Sequence, residues 1–208
     1  PLNGSYSENK KPGFSVQNWF DESFQQKAEL WLNENFGFRN FYVRLDHQLS
    51  FWLFKKAHSN GVIVGKKNYL FEKFYIDALY GRDFSGIMKW EEKIGKLSAL
   101  SDTLQKLNKS FLICIAPSKA AYYSDYIPNY LKSEGKPYNY LYLKKRLQEE
   151  HIPLVDFYAW FNSIKAESPY PLFPKTGIHW SEYGQYRAGD SLFQYLNHQG
   201  YKMPRLKL

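Results

Sequence analysis

The chain has 208 residues, 44% of them hydrophobic and 19% aromatic, which is enough large apolar side chain to offset the entropy of ordering and excludes a disordered chain. That length suits one domain with a substantial core. A net charge of +8 suits an anionic partner, but lysine pairs such as Lys10-Lys11, Lys55-Lys56, Lys66-Lys67 and Lys144-Lys145 are scattered, so the chain lacks the clustered basic groove that nucleic-acid binding requires. Eighteen tyrosines, sixteen phenylalanines and six tryptophans exceed the needs of such a core, so some rings are expected at the surface or along a groove. The single cysteine, Cys114, forms no internal disulfide and is expected as a small buried residue of an apolar run. No apolar run is long enough to cross a bilayer and no signal peptide is visible. The chain opens on Pro1 rather than methionine, so we expect a processed or excised fragment, with any export signal or anchor upstream.

In chain order, residues 1–13 are polar and rich in Gly, Ser and Pro, and predict a flexible lead-in; residues 14–208 form the expected single domain. From Asn18 a helical face runs through Trp19, Phe20, Phe24, Ala28 and Trp31, with Asn18 or Asp21 as cap, until Gly37 breaks it. A second helix is predicted from Arg39 to about Lys56, then a hairpin over 62–71 around Gly65-Lys66-Lys67. That turn is no phosphate loop, since it lacks the second glycine and the Gly-Lys-Ser/Thr ending. Residues 81–86 read as loop and 87–109 as a long amphipathic helix. Residues 111–116 are a continuous apolar run closed by Pro117, which predicts a buried strand. Ser118, Lys119, Tyr122 and Tyr123 then fall beyond its carboxyl end, where open α/β sheets place ligands. A tyrosine-rich loop, a helix over 138–150, a short strand over 152–157 and a final helix from 181 or 182 to about 198 follow. The alternation of helix and strand predicts an α/β layered fold.

The stretch Pro174-Lys175-Thr176-Gly177-Ile178-His179-Trp180-Ser181 combines a proline stop, a glycine turn, a histidine and a helix cap at Ser181. A loop histidine held before a helix start can take and return a proton. The five histidines lie far apart in sequence and offer no metal-ligand spacing, and no carboxylate pair stands out for glycosidase chemistry. Gly189-Asp190-Ser191 has the form of a hydrolase nucleophile block, but it falls inside the last predicted helix with no strand before it.

Three blocks occur in series: Gly65-Lys66-Lys67-Asn68-Tyr69-Leu70-Phe71; Ala116-Pro117-Ser118-Lys119 with Tyr122-Tyr123 and Tyr126-Ile127-Pro128; and Gly177-Ile178-His179-Trp180-Ser181 with Tyr183-Gly184. Together with Asn35-Phe36-Gly37-Phe38-Arg39 in the lead-in helices, they resemble alginate O-acetyltransferase-like proteins, SGNH-hydrolase-like enzymes that move or remove acetyl groups on surface polysaccharides. The resemblance implies an SGNH-hydrolase-like three-layer sandwich with a mainly parallel sheet, here an incomplete domain. It implies His179 as general base of a Ser-His-Asp triad, and we place Lys119, Tyr122, Trp180, Ser181 and Tyr183 around the substrate. The family aspartate two residues before the histidine is Gly177 here, leaving another acid such as Asp156, or none, to orient the ring. The family serine falls in a later block, beyond Leu208 or lost; within this chain Ser118 and Ser181 are the hydroxyls that could approach His179. Arg205-Leu206-Lys207-Leu208 has the look of a further strand. The expected partners are a polysaccharide and a membrane-bound acyltransferase that supplies acetyl groups, with no nucleic acid, cofactor or metal, in the periplasm or outside the cell. Gly177 also favours a second reading, a catalytically inactive carbohydrate-binding or scaffolding module of the same fold.

Overall fold

A computed structural model describes residues 10–35 and 37–206. Of the predicted lead-in, residues 1–9 lie outside the described residues, and 10–13 carry no regular structure. The chain divides into two compact units, Pro1–Phe54 and Lys55–Leu208.

The first unit is helical: α1 (Val16–Phe20), α2 (Ser23–Asn35) and α3 (Arg39–Phe54). The first predicted helix is interrupted because the Asp21 carboxylate accepts the Ser23 N–H at 2.9 Å and Glu22 takes a left-handed φ of 63°. Ser15, rather than Asn18 or Asp21, caps α1, its hydroxyl accepting the Asn18 N–H at 3.1 Å. None of the described residues of this unit is buried, and among the described residues no helix is long and apolar enough to cross a membrane.

The second unit opens with the predicted hairpin, β1 (Val62–Val64) paired antiparallel to β2 (Leu70–Glu72) with Val62 opposite Glu72. Its turn holds Lys67 and Asn68 at φ 54° and 61°. The helix α4 (Lys73–Leu79) follows, in a segment for which the sequence predicts no element. Next comes α5 (Ile87–Lys106), and then β3 (Ile113–Ile115), which pairs in parallel with β4 (Leu154–Asp156). Between these strands lie the short α6 (Lys119–Tyr122) and α7 (Tyr138–Glu149). After β4 the chain enters α8 (Phe157–Ser163) at once, with the Asp156 carboxylate accepting the Ala159 N–H, and it closes with α9 (Glu182–His198).

The parallel pair lies between two clusters. Ile113, Ile115 and Leu154 turn toward Ile94 of α5 and Leu147 of α7. Val155 packs toward the larger cluster, built on Phe71, Ile76, Phe157, Phe161 and Phe173. The layers are therefore helix, strand pair, helix, as α/β patterning requires. Among the described residues the sheets have two strands each. The strand expected from Arg205 shows no pairing at Arg205 and Leu206, and Lys207 and Leu208 lie outside the described residues. Cys114 corrects one expectation: it is exposed, since successive residues of a strand face opposite ways and it is Ile113 and Ile115 that turn into the cluster with Ile94 and Leu147.

Candidate active site

The 171–181 loop is held from several directions. The Ser181 N–H donates to the Leu172 carbonyl at 2.9 Å, and its hydroxyl donates to the Pro171 carbonyl at 2.6 Å while accepting the Gly184 N–H at 3.0 Å. Ser181 is thus the N-cap of α9, as its residue type favours. Gly184 is required by close approach, since a Cβ there would stand 2.4 Å from the Leu172 carbonyl oxygen. The Lys175 carbonyl accepts both the Leu70 N–H of β2 at 3.0 Å and the Lys119 ammonium at 2.7 Å. The same ammonium donates to the Gly177 carbonyl at 2.8 Å. Finally, the Trp180 indole reaches the Pro117 carbonyl at 3.4 Å and its ring lies 4.9 Å from that of Phe161.

The His179 side chain is exposed and makes no hydrogen bond to any described residue. It lines a cavity of about 350 Å³ together with Ser118, Trp180, Tyr75 and Gln185, a size within the range of small-molecule sites. Ala116, Pro117 and Ser118 form one wall directly after β3, at the carboxyl end of the parallel pair. Ser118 caps α6, its oxygen accepting the Ala121 N–H at 3.2 Å. Tyr75 comes from α4 and Gln185 from the first turn of α9, where its amide donates to the Trp180 carbonyl at 3.3 Å.

The sequence-based assignments separate accordingly. His179 and Trp180 share the cavity with Ser118. Ser181 caps its helix with its proton engaged by Pro171. Lys119 and Tyr122 are each only 2% exposed, so neither offers its side chain to a ligand at the surface. Burial pushes the Lys119 ammonium down to about 8, and its Nζ lies 5.5 and 5.6 Å from the rings of Tyr69 and Phe71. Tyr183 is turned to Tyr170 and Arg187, whose guanidinium donates to its hydroxyl at 3.0 Å. Asp156 is engaged elsewhere: it pairs with Lys144 at 2.7 Å, accepts from Tyr140 at 2.8 Å and caps α8. Burial works to raise its carboxyl, yet the bonds from Lys144, the Ala159 amide and Tyr140 hold it below its ordinary value. None of its partners among the described residues is His179. Gly189-Asp190-Ser191 lies inside α9, where Asp190 accepts from Gln194.

The sequence does not single out Tyr75 or Gln185. Tyr75 sits in a segment with no assigned element, and Gln185 is one polar position among several on an amphipathic helix.

Among solved structures, the chain is similar to the O-acetyltransferase domain of Pseudomonas putida AlgJ, with 22% identity over 69% of this chain and a TM-score of 0.51. It spans 50% of that domain's length, and the likeness establishes the shared fold. No curated protein matches the sequence. Residues 62–205, which contain the hairpin, the parallel pair, the pinned loop and the cavity, match the family described as the SGNH hydrolase-like domain of the acetyltransferase AlgX. With most of the chain inside that match, the protein belongs to the AlgX SGNH hydrolase-like family.

Proposed function

We propose that the protein takes part in O-acetyl transfer on an exported or cell-surface polysaccharide, with His179 as the proton acceptor for the attacking hydroxyl. The observation that supports this reading is a histidine left unbonded at the edge of a 350 Å³ cavity while its loop is tied down on both sides. Such an arrangement holds the backbone in place and keeps a ring nitrogen available to a substrate. As the hydroxyl oxygen forms its bond to the acetyl carbon, its proton passes to the imidazole, which returns it to the departing oxygen. The attacking hydroxyl is that of a serine or of the acceptor sugar. Trp180 and Tyr75 offer ring surface to the sugar, and Gln185 an amide to its hydroxyls. The acetyl group comes from a membrane-bound acyltransferase, which places the reaction in the periplasm or at the cell surface.

Turnover of an aryl acetate, and mass-spectrometric acetylation of an acceptor oligosaccharide, should fall by about 100-fold or more in His179→Ala, in line with general acid–base contributions. Equal rates in the two proteins would remove His179 from the reaction. Oligosaccharide binding that survives His179→Ala and is lost in Trp180→Ala, with no turnover by either protein, would mark a carbohydrate-binding module instead.

A further inference from the structure

We infer that Lys119 is a positioning residue for His179, acting through the loop backbone and without touching the substrate. The inference rests on the reading of His179 above for its catalytic consequence, and on geometry for the rest. The side chain starts in the first turn of α6, directly after the Ser118 wall of the cavity, and runs inward to end on two carbonyls of the motif loop, those of Lys175 and Gly177. These carbonyls lie four and two residues before His179. No carboxylate among the described residues pairs with the ammonium. Buried cations ordinarily have such a partner, because desolvating a charge is costly. Here loop carbonyls and the faces of Tyr69 and Phe71 take that place.

The arrangement links the two walls of the cavity. Ser118 and Lys119 are neighbours on the β3–α6 turn, and the Lys119 bonds fix where the 174–181 loop passes opposite that turn. The Lys175 carbonyl retains the Leu70 N–H as a second donor, whereas among the described residues the Gly177 carbonyl has the ammonium alone. Loss of the ammonium therefore leaves the segment nearest His179 without its anchor. A replacement of similar length and no charge keeps the aromatic enclosure filled, so the fold should survive it, as exchanges of buried charged groups for apolar residues often do.

The test uses Lys119→Met in the full chain. Amide hydrogen exchange at 176–180 is expected to quicken about tenfold or more, while the α5 and α7 amides keep their wild-type protection. Acetyl transfer should lose about tenfold in kcat with KM nearly unchanged, the signature of a displaced base with an intact binding surface. Lys119→Gln, whose amide reaches one carbonyl, should fall between and serves should Lys119→Met not fold. Wild-type exchange at 176–180 in both variants would overturn the inference. If exchange quickens but the wild-type protein itself transfers no acetyl group, the positioning role stands and the proposed reaction fails.

Discussion

At the scale of residues, the charge on Lys119 sets a pH dependence whose sign follows from linkage. Burial lowers its folded-state value from 10.5 to about 8, so between those values the unfolded chain binds more protons than the folded one. Below about pH 8 both states are protonated and the full desolvation cost is present. Stability therefore rises with pH from this group as the medium passes from about 8 toward 10.5. Urea unfolding of the wild type should gain on that of Lys119→Met between pH 8 and 10, and parallel curves would show that the ammonium is not desolvated. Gly177 carries a second expectation. The resemblance places an aspartate there, yet a Cβ at 177 would meet Pro174 Cγ at 2.8 Å, a distance that forces something to shift. Gly177→Asp should therefore destabilise the protein by about 1–3 kcal/mol, the usual cost of overpacking, without raising acetyl transfer. Removing the ring in Pro174→Ala/Gly177→Asp should recover most of that loss, and strict additivity of the two single changes would refute the steric account.

At the scale of elements, α5, α7 and α9 share one ending. Each stops with a left-handed residue, Asn108 at φ 53°, His151 at φ 53° and Gly200 at φ 92°. In each the next N–H folds back on the helix: Lys109 to Leu104, Ile152 to Leu147 and Tyr201 to Leu196, at 2.8, 2.9 and 3.1 Å. These are Schellman caps, and glycine is the residue they favour. Only Gly200 has it, which is why that stop was legible in the sequence while α5 was expected to run to Lys109. His151→Gly and Asn108→Gly should each raise stability by about 0.5–1 kcal/mol by removing left-handed strain, read as a higher thermal midpoint. Unchanged or lower midpoints in both would mean that these side chains stabilise the turns they occupy. The amphipathic stretches of α5, α7 and α9 and the strand runs were readable because their periodicity reflects burial. By contrast, α4 and α8 are short and rich in aromatic residues, whose preference leans to strands. What makes α8 helical is the Asp156 cap and the burial of Phe157 and Phe161, one helical turn apart, in a core contributed by distant segments. The cavity shows the same division: the loop carrying His179 was visible in the sequence, whereas Tyr75 and Gln185 reach it only through the packing of α4 and α9.

At the scale of the whole molecule, the buried residues and the family match fall in the same part of the chain. Among the described residues every buried side chain lies between Val64 and Ala188, and the matched residues are 62–205. The first unit is different: its rings form local clusters, such as Phe14, Trp19 and Phe24 with centroids 5.3–6.1 Å apart, and none of its described residues is buried. Cooperative folding draws on burial, because buried apolar area is what opposes chain entropy. The part from Lys55 onward should therefore fold alone. Residues 55–208 expressed without the first unit should keep the near-ultraviolet circular dichroism of the parent's tyrosine-rich core and unfold in one cooperative transition, within about 1 kcal/mol of the parent. Limited proteolysis of the intact chain should release the same fragment by cutting within 55–61, the connection between α3 and β1. A fragment that binds a hydrophobic dye and melts without a transition would show that the first unit completes the core. The low burial of α1 to α3 would then be no measure of their contribution to stability.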